Sequence, residues 1–337
     1  MATHSDNVRK PRPMNIQVRR GSRAEDKYFA LGGIPGFQPE AIAPGIPPTP
    51  AHDLLYHGGK TIPNLLFCNF YVAGNTWQSS DIQNIDQALT SVMTEPKLNN
   101  VMAQYFSAVP TSAFKGSQKL AGAAPARMSQ GDVEQLVSSL YAQGKFSGFD
   151  LTSTVFNFML PRGTVLTDNP APGGADRALQ SQSERRGVPE EEEADSLNGL
   201  GGYHGSVQTG GKTIYYAVGV YSETSNGQTN GIPVFDAPWK NVVATFYHEL
   251  NEARTDPDVE QVINGGATSL LGWTSRKGEE CGDFPVFEAN PLTLVFQEVS
   301  LTTGGSAPVQ FQYSNYVHGP EGPIPNPDPP SSHRRHH

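Results

Sequence analysis

The sequence predicts an α+β domain in which helices pack on a central mixed sheet, with an α/β arrangement of the same elements as the alternative. Three observations carry this reading. Residues 65–72, 152–160 and 212–221 are short β-branched and aromatic runs of strand length. Apolar residues at helical spacing, such as Ile82, Ile85, Leu89 and Val92, lie among them. The two kinds of segment are mixed along the chain, so they belong to one sheet-and-helix domain. At 337 residues the chain can bury a sizeable core, and its 35 glycines and 28 prolines suit turns and short strands better than a helical bundle.

Charge and apolar patterning exclude two classes of function. With 24 basic and 33 acidic residues the net charge is −9, the wrong sign for sequence-independent nucleic-acid binding. No apolar run approaches the ~20 residues of a membrane span. Two cysteines, Cys68 and Cys281, allow one bridge or two free thiols.

Taken in order, residues 1–54 read as a Pro-rich, largely disordered arm, because six prolines between Pro35 and Pro50 favour extended backbone. The first residues carry basic side chains with no apolar stretch behind them, so no secretory leader is expected. The ordered domain spans 55–318. Its first strand, 65–72, is bounded by Pro63 and Gly74, and Ser80 is placed to cap the helix that follows. A short helix carries Val101, Met102 and Tyr105. Ser129-Gln-Gly-Asp132 predicts a capping box, followed by an apolar stripe from Val133 to Tyr141 and a stop at Gly144. Residues 152–160 form a strand ended by Pro161. A polar surface insertion covers about 167–198, where the four carboxylates of Glu190–Glu193 repel one another and stay solvated. The strand at 212–221 is placed to receive an extended substrate by β-addition. Residues 291–299 read as the last strand, and 319–337 as a disordered Pro/His-rich tail in which His333, His336 and His337 are read as polar, with metal chelation the alternative.

Chemistry concentrates between Asp236 and Pro257. Asp236 is placed to cap a helix with Pro238 in its first turn, and Trp239, Val242, Val243, Phe246, Leu250 and Ala253 form its apolar stripe. His248, Glu252, Thr255 and Asp256 fall on another face, and Pro257 ends the helix. His248-Glu249-Leu-Asn-Glu252 is an H-E-x-x-E array. In the zinc pattern H-E-x-x-H, two side chains at i and i+4 bind the metal and the Glu beside the first is the general base. A second Glu keeps an oxygen ligand in that place; zinc accepts it, and calcium becomes possible where oxygens dominate. The competing readings are an ion-pair cluster facing solvent and a hydrogen-bonded network in the core. For a third ligand, Asp283 and Glu280 in the acidic turn come first, and Asp258 has metzincin-like spacing but lacks the turn glycine. His57 and His204 sit beside glycines; turn histidines are the commoner reading, cleft-lining ones the alternative.

Five pieces then occur in a telling order: Tyr56-His-Gly-Gly59, Gly201-Gly-Tyr-His-Gly205, His248 to Pro257, Glu279-Glu-Cys-Gly-Asp283, and Gln310-Phe-Gln-Tyr-Ser-Asn315. The series resembles the phosphate-induced (Exordium-like) proteins of plants and their bacterial and fungal relatives, over roughly residues 55–317. The resemblance implies a zincin-like active-site helix with His248 and Glu252 as ligands, Glu249 as base, and Asp256 and Asp283 completing or supporting the site. It also implies an extracellular location.

Two functions follow as expectations. The first is a zinc metallopeptidase acting on a peptide or protein substrate, with metal-activated water and Glu249 as general base. The second is a non-catalytic secreted or surface interaction module with a structural metal or none. Whether Glu249 faces an open position or pairs with Arg254 or another cation separates them.

Overall fold

The structure, a computed structural model, describes residues 16–19, 23, 45–168 and 194–331. Its centre is a six-stranded mixed sheet. In chain order the strands are β1 (Ile16–Val18), β2 (Asn64–Tyr71), β3 (Thr111–Lys119), β4 (Thr154–Met159), β5 (Leu200–Thr209) and β6 (Lys212–Gly219). Their spatial order is β1-β5-β6-β4-β2-β3. The pairs β3–β2, β2–β4 and β4–β6 are parallel, whereas β5 runs antiparallel to both β6 and β1.

Period-two alternation assigns the two faces. Leu65, Phe67, Tyr71, Val155, Met159, Tyr215 and Ala217 meet helices α1 (Ser79–Thr94) and, further along the chain, α4 (Pro238–Thr255). Cys68, Phe70, Phe156, Phe158, Tyr216 and Val218 point the other way, onto α3 (Gln130–Ala142). Between α1 and β3 the chain forms the short α2 (Pro96–Met102). Helix α4 is followed by α5 (Val259–Ile263) and α6 (Asp283–Glu288). A hairpin of β7 (Phe296–Ser300) and β8 (Ser306–Gln310) then lies over α4, and β9 (Gln312–Ser314) pairs with β10 (Gly319–Glu321). Covered by the sheet beneath and the hairpin above, α4 is buried from Asn241 through Thr255. Its polar side chains are therefore inside the protein, which rules out the solvent-facing cluster.

Several expectations change. The capping box at Ser129 forms as read, with the Asp132 backbone N–H donating to Ser129 Oγ at 3.1 Å. Asp236 does not cap α4: Ala237 holds that position with extended backbone, and Asp236 instead pairs with Lys240 at 2.7 Å. Ser80 lies in the first turn of α1, with Gln78 at the cap. The expected last strand begins only at Phe296, after a 3₁₀ turn at Leu292–Leu294, and three more strands follow it. β6 is paired on both sides, so it has no free edge to offer a substrate strand.

The described parts of both chain ends lie on the domain, so 55 and 318 are not its limits. Ile46 and Leu54 are buried, and β1 pairs with β5. Near the carboxyl end, the Ile324 N–H donates to the Lys97 carbonyl at 3.0 Å and the Ser331 N–H to Gln104 at 2.9 Å. Beyond the short β10 the prolines leave no ladder along such segments, yet isolated backbone bonds anchor them. Thr167 and Asp195 bridge the two ends of the polar insertion, while Glu190–Glu193, His333, His336 and His337 lie outside the described residues. Cys68 and Cys281 are both free, buried in separate apolar clusters. No helix among the described residues is long and apolar enough to cross a membrane.

Candidate metal centre

Three segments converge beneath the β7–β8 hairpin. Helix α4 supplies His248, Glu249 and Glu252; i and i+4 on a helix stack on one face, which brings His248 and Glu252 together. Strand β5 supplies His204 from the Gly201-Gly-Tyr-His-Gly205 motif, and the turn entering α6 supplies Glu280 and Asp283. All six side chains are buried, with exposures of 0–1%. Two glycines make the convergence possible. A Cβ on Gly282 would stand 2.3 Å from His248 Nδ1, and one on Gly202 would stand 3.1 Å from Glu249 Oε1 and 2.5 Å from the Val218 carbonyl.

The distances describe a cage of inward-facing donors. His248 Nε2 lies 3.0 Å from Glu252 Oε2 and 4.0 Å from Asp283 Oδ1. His204 Nε2, 3.7 Å from Glu280 Oε2, faces the Asp256 carbonyl at 3.3 Å and so carries the proton, leaving Nδ1, 3.3 Å from Glu249 Oε2 and 3.8 Å from Glu252 Oε2, as the ring nitrogen that serves the cage. Backbone groups hold the carboxylates from outside: the Gly282 N–H donates to Glu252 Oε1 at 2.9 Å, and the Glu280 N–H donates to Asp283 Oδ2 at 2.8 Å. The inner atoms are a different matter. His248 Nε2, Glu249 Oε1, Glu252 Oε2, both oxygens of Glu280 and Asp283 Oδ1 find no hydrogen-bond partner among the described residues. A buried polar atom left this way costs about 1–3 kcal/mol, more when charged.

Gln310 orients the first imidazole. Its Nε2 donates to the carbonyls of Gly282 at 2.9 Å and Phe311 at 2.8 Å, so its Oε1 must face His248. That oxygen accepts from His248 Nδ1. The proton on Nδ1 leaves the Nε2 lone pair for the interior of the cage, the orientation metal-binding histidines adopt when a carbonyl-type acceptor fixes the far nitrogen.

Electrostatics follow from crowding without counter-charge. Burial, opposed in part by the His204 contact and reinforced by Glu252, pushes the Glu249 carboxyl up to about 8. Burial and the neighbouring carboxylates Glu252, Asp256 and Asp283 raise Glu280 well above its ordinary value; burial and Glu252 do the same for Asp283. His248 is displaced upward as well: burial pulls it down, but Glu252 and Asp283 outweigh that. Among the described residues, no Lys or Arg forms an ion pair with any of these four carboxylates. Arg254, the candidate partner for Glu249, turns instead to the Thr111 carbonyl at 2.8 Å and Asn99 Oδ1 at 3.1 Å.

The structure thus brings together His248, Glu249, Glu252, Asp283, Glu280 and His204. His204 is not a turn residue; it lies within β5, and His57, at 3.0 Å from Thr274 Oγ1, is elsewhere. Asp256 stands at the margin, one oxygen accepting from the Gly272 N–H at 2.8 Å and the other unpartnered. Asp258 is not brought to the cage. The turn after α4 carries it to the far side of His204, where Ser206 Oγ donates to it at 3.1 Å. Gln310 was quoted among the sequence motifs without a role; an amide in a strand gives no signal until its partner is known. No family model, curated protein or solved structure matches this chain.

Proposed function

We propose that the chain is a metalloprotein whose buried centre is formed by His204, His248, Glu252 and Glu280, with Glu249 and Asp283 as further oxygen donors. One observation carries this reading: the six unpartnered donor atoms that face one another in an enclosed cage. A cation offsets both costs at once, satisfying the lone pairs and neutralising the buried charge. Two imidazoles among the donors favour zinc or another first-row ion over calcium. The four pieces His248–Glu252, Glu279–Asp283, Gly201–Gly205 and Gln310, noticed separately in the sequence as resembling the Exordium-like proteins, line this single cage. That coincidence supports both the resemblance and the site.

Enclosure favours a structural role for the ion over a catalytic one. An ion here ties α4 to β5 and to the 279–283 turn, three segments far apart in sequence. This is the chemistry of a non-catalytic module stabilised by metal. A second reading rests on Glu249, whose unpartnered Oε1 and elevated pKa suit a general base in a zinc-dependent peptidase. That reading also requires a path for a peptide or protein substrate to a cage whose side chains are at most 1% exposed.

Elemental analysis of protein purified without chelator, wild type beside Glu252→Ala, tests the site. Stoichiometric metal in the wild type that is lost in the variant is expected, and metal-free wild type contradicts the proposal. A peptide-library cleavage assay then separates the readings. No turnover is expected; metal-dependent cleavage abolished by Glu249→Gln would select the peptidase.

A further inference from the structure

The cage holds two distinguishable donor groups, not one. His248, Glu249 and Glu252 form the first, and His204, Glu252 and Glu280 the second, each with ligand atoms within 4.8 Å of one another. Glu252 belongs to both. Its Oε1 is occupied by the Gly282 N–H, so Oε2 is the shared atom, 3.0 Å from His248 Nε2 and 3.8 Å from His204 Nδ1. Among the described residues each group has buried unpartnered donors of its own: His248 Nε2 and Glu249 Oε1 in the first, both oxygens of Glu280 in the second, with the unpartnered Asp283 Oδ1 4.0 Å from His248 Nε2.

From this arrangement, and resting on the metalloprotein reading above, we infer that the centre binds a pair of divalent first-row ions bridged by Glu252. One ion takes His248, Glu249 and Asp283; the other takes His204 and Glu280. Charge supports the pair. Among the described residues these four carboxylates have no Lys or Arg counter-ion, so in their ionised form two negative charges stay uncompensated beside a single divalent ion, and none beside two. Each ion receives one imidazole and several carboxylate oxygens, a donor set suited to manganese, iron or zinc. Paired ions in carboxylate-bridged sites stand about 3.5–4 Å apart, a spacing at which two paramagnetic ions couple magnetically.

The test uses the full chain, stripped with chelator, dialysed, and reloaded with Mn²⁺ alone. Bound metal per chain and the low-temperature electron paramagnetic resonance spectrum are read together, on the wild type and on H333A/H336A/H337A, which removes the tail histidines as competing ligands. Two Mn²⁺ per chain in both proteins, with a spin-coupled spectrum, are expected. Glu280→Gln should then retain one ion and give the six-line spectrum of isolated Mn²⁺. One ion per chain in the wild type overturns the pair while leaving the single-metal centre standing. So does a second ion that is uncoupled or disappears with the tail histidines. No bound metal overturns both. The wild-type result decides even if Glu280→Gln does not fold.

Discussion

Glu95 and Glu280 are both buried glutamates, at 2% and 0% exposure, and the protein treats them in opposite ways. Glu95 caps α2, and every oxygen is answered. Its Oε1 accepts from the Lys97 N–H at 3.3 Å and Thr302 Oγ1 at 3.0 Å, and its Oε2 accepts from the Thr302 N–H at 2.8 Å. Glu280 has neither oxygen partnered and three carboxylates nearby. A chain that can satisfy one buried acid with its own donors has left Glu280, and one oxygen each of Glu249, Glu252 and Asp283, without a partner among the described residues beside two imidazoles. The first arrangement is complete as protein. The second is the arrangement we propose a cation completes.

The sharpest way to break this comparison is to close the cage by a change outside its ligands. Gly282→Ala places a Cβ 2.3 Å from the His248 ring, which is packed and cannot retreat. We expect the variant to lose bound metal and about 1–3 kcal/mol of stability, read by elemental analysis and thermal unfolding; full metal content would mean that the turn adjusts freely. Next in size, Gln310→Leu removes the acceptor that orients His248. It should weaken metal binding by roughly 10–100-fold in a competition titration while the fold persists. An unchanged affinity would assign Gln310 to packing alone.

Glu95→Gln supplies the opposite arm. It weakens a cap that the protein completes itself, so we expect about 1–2 kcal/mol of destabilisation in denaturant unfolding. Metal content should not change, and a change would show that the two sites are not independent. The smallest effect concerns the strand at the carboxyl end. Burial and Asp328, offset in part by Ser314, push the Glu321 carboxyl up to about 7. Folded Glu321 thus holds its proton more tightly than the unfolded chain does. Stability falls as pH rises from the ordinary glutamate range through about 7. Glu321→Gln should flatten that segment of the stability–pH curve, and an unaltered slope would place its origin elsewhere.

What the sequence revealed of this molecule follows from how local each signal is. The capping box at Ser129, the α4 stop at Pro257 and the strands read at 65–72 and 152–160 are written in neighbouring residues; the strands form over Asn64–Tyr71 and Thr154–Met159. Three-residue strands such as β1, β9 and β10 carry too little pattern to outweigh proline and glycine, and the five residues of β8 are interrupted by Pro308. At the site, spacing on one helix was sufficient to pair His248 with Glu252. Placing His204 required knowing that β5 runs beneath α4, and choosing Glu280 and Asp283 over Asp258 required the course of the chain after Pro257. Those are tertiary facts. The glycines of Gly201–Gly205 hinted at turns, whereas at Gly202 the missing side chain makes room for Glu249.

Diffraction from crystals grown with zinc, recorded above and below the zinc absorption edge, addresses the central claim most directly. The account predicts anomalous density inside the cage, about 2.0–2.2 Å from His248 Nε2 and Glu252 Oε2. An empty anomalous map there, with the carboxylates of Glu249, Glu252, Glu280 and Asp283 bonded to one another through protons, would contradict it.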